Sequence, residues 1–147
     1  MNLIEALRAA IAENFAFYFM AQAHHHNVRG PLFPQTHELF GALYDDVHGA
    51  HDGLSEMLRS TGELAFADPV TLLAMSLIRF TPPPAIAMMY VQLIEANEIV
   101  IRALKVAGDA ATEADERGIE NYIRGRLEKH TEWRFKLGAT VADDASA

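Results

Sequence analysis

Apolar residues recur along the chain at the period of an α-helix, in several long segments separated by glycine and proline. The first segment predicts helix A over about residues 2–27, before the breaker that begins at Gly30. The second predicts helix B over about residues 34–60, because its apolar side chains share one side of the helix and Pro34 suits a first turn. A short loop over residues 30–33 joins the two.

The rest of the chain predicts one short helix and two more long ones. Asp68, followed by proline, is typical of a helix N-terminus and predicts a short helix over about residues 69–79. A triple proline separates this helix from helix C, predicted over about residues 84–107. Gly108 predicts a break before helix D, over about residues 112–137, and the polar tail after helix D is expected to fray.

These elements predict an all-α protein, a four-helix bundle with a short extra helix in the connection from B to C. A chain of 147 residues suits a single domain, and residues 1–147 show no linker or internal repeat that would divide it. The long connection is able to place helices B and C parallel to each other.

Composition narrows the class of protein. The absence of cysteine excludes disulfides, thiolate metal sites and cysteine nucleophiles. A net charge of -8 suits cations and disfavours sequence-independent binding to nucleic acid, which depends on lysine and arginine. The first segment carries acids and no clean apolar run, so it is not expected to be a signal peptide. No segment approaches ~18 uninterrupted apolar residues, so no membrane span is expected. The lack of cysteine leaves the compartment open, with a reducing cytoplasm as the default.

Histidine marks the part of the chain with unusual chemistry. All but one of the seven histidines fall between His24 and Glu56. Imidazole and carboxylate groups together suit iron, zinc and similar divalent ions. One face of predicted helix B, opposite its apolar side and within a sector of about 100° on the helical wheel, carries His37, Gly41, Asp45, His48, Asp52 and Glu56.

The residues alone leave more than one interpretation of this face open. It is either an ordinary solvated face, although such faces are usually rich in lysine and glutamate, or a metal site between two subunits. In the second case the B helices of two subunits pair antiparallel, so that His37 of one meets Asp52 and Glu56 of the other. A lesser alternative is an intra-subunit site built on Asp45 and His48 together with glutamates of other helices.

At this point the sequence resembles a family. The run HHNVRGP, from His25 to Pro31, followed by His37, Asp52 and Glu56, is similar to the motif of the Dps mini-ferritins, DNA-protection proteins of starved cells. The resemblance includes the arrangement of helices and a tryptophan late in helix D, here Trp133. It implies a ferritin-like bundle, assembly into a homo-oligomer, a dodecamer built from dyad dimers, and iron as the bound metal, with zinc as a substitute.

Carried over residue by residue, the family's ferroxidase ligands fall on His25 and His37 of one subunit and on Asp52 and Glu56 of its dyad mate. The resemblance thus implies that the protein binds Fe(II) between subunits, oxidises it with peroxide or oxygen and stores ferric iron, protecting against oxidative damage. It also implies a pore that admits cations, lined by acids of the C-to-D turn, for which an ordinary acidic helix start is an equally good account. These acids are Asp109, Glu113, Asp115 and Glu116.

The sequence departs from the family's pattern at two positions. Gly41 stands where the family has an aspartate ligand, and His26 where it has a tryptophan beside the site. Loss of a carboxylate is expected to weaken binding of a second ion, and we hypothesise that His48 or Asp45 partly replaces it. Gly41 also supports a rival interpretation, a non-catalytic shell or structural protein with a degenerate metal site. A hydrolase or sensor with a mononuclear zinc site is a third.

Two further expectations concern DNA and the remaining histidines. Family members that coat DNA often use lysine-rich termini, whereas this sequence ends in ADDASA, so no appreciable DNA affinity is expected at physiological salt. His24 is expected to pack against the bundle or to lie at the surface, with a metal role as the lesser alternative. His51 is expected to be a hydrogen-bonded boundary residue. His130, beside two charged residues of helix D, is expected on a solvated face.

Overall fold

The computed structural model describes residues 1–142, and within that range the backbone forms five helices and no strand. The all-α bundle with a short extra helix before the third long helix is therefore confirmed. No helix in this range is both long and apolar enough to cross a membrane. The helices are α1 (Leu3–Asn27), α2 (Phe33–Ser60), α3 (Pro69–Met75), α4 (Ile86–Glu113) and α5 (Arg117–Val141).

Contacts between side chains fix the directions of the long helices. The first turns of α2 and α4 lie at the same end of the bundle, where the hydroxyl of Tyr90 is 3.4 Å from that of Thr36, so these two helices run parallel. Along α2 from Asp46 to Ala50, the partners on α5 run backwards from Trp133 to Tyr122, so α2 and α5 are antiparallel. The long connection has placed α4 beside α1 and parallel to α2, as its length predicts.

The short helix ends earlier than its apolar pattern predicts, at Met75 and not near residue 79. The cause is Glu13, a buried carboxylate of α1. It accepts hydrogen bonds from the Ser76 hydroxyl at 2.5 Å and from the Leu77 amide at 2.8 Å. Because these donors are directed towards α1, the backbone leaves the helix at Ser76.

The predicted break at Gly108 is wrong, because α4 continues through it to Glu113. Buried alanines on both sides of Gly108 hold this turn against the bundle, and that packing outweighs the low helix propensity of one glycine. The chain reverses at Asp115, which has a left-handed φ of 54°. Helix α5 therefore begins at Arg117, five residues later than predicted for helix D.

The end of α5 also differs from the prediction. The helix continues past Gly138 to Val141, because the fully buried Leu137 holds the last turns against the core. The fraying expected from Gly138 onward is therefore wrong for residues 138–141. Residues 143–147, the acidic end of the predicted tail, lie outside the described residues.

His130 is fully buried, so the solvated position expected for it is wrong. The buried positions of α5 follow one another at spacings of four and three residues, which is the period of a helix face packed on a core. Arg126 and His130 occupy two of those positions and are buried with the apolar ones. The buried set is Ile119, Ile123, Arg126, His130, Trp133 and Leu137.

A buried polar network joins α2, α4 and α5 around His130. The carboxylate of Asp46 accepts two hydrogen bonds from the Arg126 guanidinium, at 2.9 and 3.0 Å, and a third from Trp133 Nε1 at 2.7 Å. His130 Nδ1 lies 2.8 Å from Asn97 Oδ1, and the Asn97 amide donates to the His130 carbonyl at 3.0 Å. The network pairs polar groups whose isolated burial would be costly.

Candidate metal-binding face

His25 near the end of α1 and His37 in the first turns of α2 face each other across the loop that joins the two helices. Their rings stack at 3.7 Å between centroids with an interplanar angle of 20°. Nδ1 of His25 lies 2.7 Å from the His37 carbonyl, and Nδ1 of His37 lies 3.0 Å from the His25 carbonyl. Each imidazole is thus tied to the backbone of the other histidine.

These reciprocal bonds decide which ring nitrogen is available. A carbonyl oxygen only accepts hydrogen bonds, so Nδ1 carries the proton in both rings. In the neutral imidazole, Nε2 then keeps its lone pair. Metal-binding histidines usually have this arrangement, with one nitrogen bound to the ion and the other donating to a carbonyl or carboxylate. The two histidines form a preorganised pair of Nε2 donors.

Aromatic rings hold this histidine pair in place. The Phe33 ring stacks on His37 at 4.7 Å with an interplanar angle of 24°. On the other side, the Tyr44 ring meets His25 edge-on at 5.1 Å. His25 and His37 are each partly buried by these neighbours, so their rings have few alternative orientations.

Gly41 lies directly against the His25 ring. A Cβ atom at this position would stand 3.1 Å from His25 Cε1 and 3.2 Å from Nδ1, closer than side chains normally pack. Any larger residue, including the aspartate that the Dps pattern has here, would require His25 to shift by a few tenths of an ångström. Gly41 therefore has two effects: it removes a possible carboxylate ligand, and it leaves room for the His25 ring.

Asp52 and Glu56 lie on exposed turns near the other end of α2. At 1.5 Å per residue, Asp52 is about 22 Å further along the axis than His37. Within residues 1–142, no three side chains of the metal-binding types come together in a single chain. The two halves of the predicted site are thus separate in the subunit.

Asp45 and His48 are exposed between these halves. The His48 ring lies 4.7 Å from that of Tyr18 on α1. Of the three glutamates on other helices considered for an intra-subunit site, Glu13, Glu95 and Glu98, two are engaged elsewhere: Glu13 binds the Ser76 segment and Glu98 pairs with Arg134. The described residues thus bring no second carboxylate to the Asp45 and His48 pair within one subunit.

Two other histidines of the cluster, His24 and His51, contribute to packing, whereas His26 is exposed. His24 is buried, with Nε2 2.9 Å from Gln92 Oε1. Burial lowers the pKa of His24, although the bond to Gln92 opposes the shift, so the ring is neutral at physiological pH. His51 lies at the boundary, as predicted, but its Nδ1 has no hydrogen-bond partner among residues 1–142. Burial, followed by the charge of His48, lowers its pKa.

The acids predicted to line a pore are exposed, but they do not share one helix start. Asp109 and Glu113 lie in the last turns of α4, Asp115 is in the turn, and Glu116 precedes α5. Asp115 is paired with Arg117 at 3.0 Å. Glu113 therefore lies at the negative end of a helix dipole, where a bound cation would relieve repulsion.

Tyr122 of α5 is a neighbour of the carboxylate half that the sequence analysis did not identify. A Cβ atom at Gly53 would stand only 2.0 Å from the Tyr122 hydroxyl oxygen, so the phenol occupies the space left by the glycine. Its hydroxyl donates to the Ala50 carbonyl at 3.4 Å. The only sequence signal was Gly53 itself, a glycine within a helix beside Asp52.

The fold defines a ferritin-like protein, and the chain belongs to that family: the family model described as ferritin-like domain matches residues 4–145. Among solved structures, it is similar to a Dps protein from Bacillus brevis, with 26% identity and a TM-score of 0.90 over 95% of both chains.

Two further matches are to proteins named as Dps or DNA-protection proteins. The Dps protein of Thermosynechococcus elongatus has 22% identity and a TM-score of 0.92 over 96% of this chain and 90% of that one. A DNA protection during starvation protein of Halobacterium salinarum is 31% identical over 71 residues, which are 48% of this chain and 39% of that protein. The resemblance to Dps proteins drawn from the HHNVRGP motif is confirmed.

Proposed function

We propose that this protein is a Dps-type mini-ferritin that binds Fe(II) between two subunits, oxidises it with peroxide or oxygen, and stores the ferric product. The observation that carries the proposal is the pair formed by His25 and His37, whose Nδ1 atoms are both bound to carbonyls. Two fixed Nε2 atoms whose lone pairs are free suit Fe(II), and zinc would be expected to compete for the same atoms.

A symmetric dimer would complete the site. Because the two halves are about 22 Å apart along α2, antiparallel pairing of two α2 helices would bring His25 and His37 of one subunit to Asp52 and Glu56 of the other. An isologous interface would form two such sites at once. The carboxylates would stabilise the higher positive charge of the ferric ion. Coordination positions that no protein ligand occupies would remain open to the oxidant.

The larger assembly follows as part of the same proposal. Storage of ferric iron needs a closed shell, and we propose a dodecamer built from such dimers in the cytoplasm. The exposed acids Asp109, Glu113, Asp115 and Glu116 would concentrate cations where Fe(II) enters that shell.

The rival proposal is a shell whose metal site has decayed, and it rests on Gly41. The contact between Gly41 and the His25 ring supports a different account, in which the glycine makes room for a ligand histidine. With one carboxylate fewer, the expected result is a site that holds one ion well and a second ion weakly, to which His48 or Asp45 contributes.

Mixing two inactive variants tests the proposal. His37→Ala and Asp52→Ala assemblies are each expected to lose rapid Fe(II) oxidation, because every site lacks a ligand. After co-refolding in equal amounts, random pairing across an isologous interface restores about a quarter of the sites, since each mixed dimer regains one intact site. The rate of ferric absorbance growth after peroxide addition measures the recovery.

The control for this experiment is Glu38→Ala, an exposed substitution next to His37 that should leave oxidation unchanged in every mixture. Recovery close to that quarter requires ligands from two subunits. No recovery with correctly assembled protein would contradict the inter-subunit site, and full activity of either single variant would contradict the ligand assignment.

Replacing Gly41 by aspartate should increase the number of Fe(II) ions bound per site from one towards two. The added carboxylate supplies an anionic ligand, while its Cβ forces His25 to move. Anaerobic calorimetric titration gives the stoichiometry. The matched control is Gly41→Ala, which adds the same Cβ without a ligand and should only weaken binding. Equal stoichiometry in both variants would show that the space beside the His25 ring, and not the missing carboxylate, sets the number of Fe(II) ions bound per site.

A further inference from the structure

The Tyr122 phenol reaches α2 at the turn that carries the predicted carboxylate ligands. Its oxygen stands 2.0 Å from the place where a Cβ of Gly53 would be, and its ring carbon Cζ stands 2.5 Å from that place. No residue with a side chain is compatible with this ring position. The glycine therefore admits a phenol from α5 to the surface of α2 between Asp52 and Glu56.

Helix geometry places this oxygen within reach of Glu56. Positions 53 and 56 are three apart, and Cβ atoms at that spacing are about 5–6 Å from each other. The bonds from Cβ to a carboxylate oxygen span roughly 3.5 Å at ordinary bond lengths. Because the phenol oxygen lies near the virtual Cβ of Gly53, a rotation of the exposed Glu56 side chain brings the two oxygens to hydrogen-bond distance.

The hydroxyl is also available as a donor. Its present partner is the Ala50 carbonyl at 3.4 Å, a length at which a hydrogen bond is weak. A tyrosine hydroxyl is a hydrogen-bond donor at neutral pH. The phenol therefore gains from a better acceptor than the Ala50 carbonyl.

We propose that Tyr122 is a positioning residue for the carboxylate half of the iron site, donating its hydroxyl hydrogen to the Glu56 carboxylate. One carboxylate oxygen is held by the phenol, and the other is directed at the ion. Tyr122 itself does not touch the ion. Gly53 is required, because a side chain at that position would displace the phenol. This inference rests on the proposed function, since it assigns Glu56 as a ligand.

The test is Tyr122→Phe in the assembled protein, titrated anaerobically with Fe(II) alone. Loss of a neighbour that orients a metal ligand typically costs 10–100-fold in affinity, and we expect about a tenfold weaker Kd, because only one of the ligands is affected. The ring stays over Gly53, so the unfolding midpoint should be unchanged. Tyr90→Phe is the matched control, because it removes a hydroxyl with a bond of the same 3.4 Å length near the opposite end of α2.

A double-mutant cycle distinguishes positioning from a general structural role. If Tyr122 acts through Glu56, then Tyr122→Phe should cause no further loss in the Glu56→Ala background. An unchanged Kd for Tyr122→Phe, or the same tenfold loss when Glu56 is absent, would overturn the inference. Gly53→Ala, which displaces the phenol by another route, should weaken Fe(II) binding to a similar degree, and tight binding by this variant would also count against it.

His37→Ala separates this inference from the proposed function. If His37→Ala abolishes Fe(II) binding while Tyr122→Phe binds like wild type, the iron site stands and only the role of Tyr122 is refuted. If His37→Ala binds Fe(II) like wild type, the proposed site itself fails, whatever Tyr122→Phe shows.

Discussion

Replacing Asp46 by alanine is expected to lower the free energy of unfolding by about 3 kcal/mol, the lower end of the range for breaking a buried ion pair. The substitution leaves the Arg126 guanidinium without its counter-charge and Trp133 Nε1 without an acceptor. The side chains of Arg126 and Asp46 are only 10% and 22% exposed, so water replaces these bonds poorly. Burial alone would raise the pKa of Asp46, but hydrogen bonds from Arg126 and Trp133 hold it below its ordinary value.

Urea denaturation at one protein concentration measures this loss. Glu98→Ala is a matched control, because Glu98 and Arg134 form the same two-bond pair between α4 and α5, with side chains that are 35% and 45% exposed. An exposed pair contributes about 0.2–1 kcal/mol. The two substitutions therefore differ in burial and in the third bond that Asp46 accepts from Trp133. Equal losses in Asp46→Ala and Glu98→Ala would contradict the importance of the buried network.

Acidification below pH 6.5 is expected to destabilise the protein through His130. Burial, with the charge of Arg126 adding to it and that of Asp46 opposing it, lowers the pKa of His130 from 6.5 to about 3. The unfolded chain therefore binds a proton in this interval that the folded chain does not. The stability from neutral His130 is complete above pH 6.5 and is lost as the pH falls towards 3, on the order of 3–5 kcal/mol in total.

The pH dependence of unfolding between pH 6.5 and 5 tests this expectation, because carboxylates contribute little there. In His130→Leu, the slope of the free energy of unfolding against pH should fall by up to about 1.4 kcal/mol per pH unit. This variant is also less stable at every pH, because Asn97 Oδ1 loses its donor. His26→Ala, at an exposed position, should retain the slope. A full slope in His130→Leu would assign the titration to other groups, such as His24 and His51.

Several glycines show where local rules stop predicting the structure. Gly108 predicted a helix break, yet buried alanines around it carry α4 onward. Gly41 was first considered a missing ligand, but the structure shows that it contacts the His25 ring, and Gly53 admits the Tyr122 phenol. A glycine has the same local propensity in all three settings. What differs is the neighbour that packs against it, which comes from another helix or from beyond a loop.

The sequence by itself determined the helices, the bundle and the face that carries the histidines and carboxylates, because periodicity and capping are local properties of the chain. It also indicated that His37 and Asp52 are too far apart along one helix to share an ion within a subunit. Only the tertiary structure decided that Arg126 and His130 are buried, that Glu13 ends α3, and which ring nitrogens of the histidine pair are free. Each of these depends on a partner from another helix, and the free energy of burial is set by that partner and not by the residue's own neighbours in sequence.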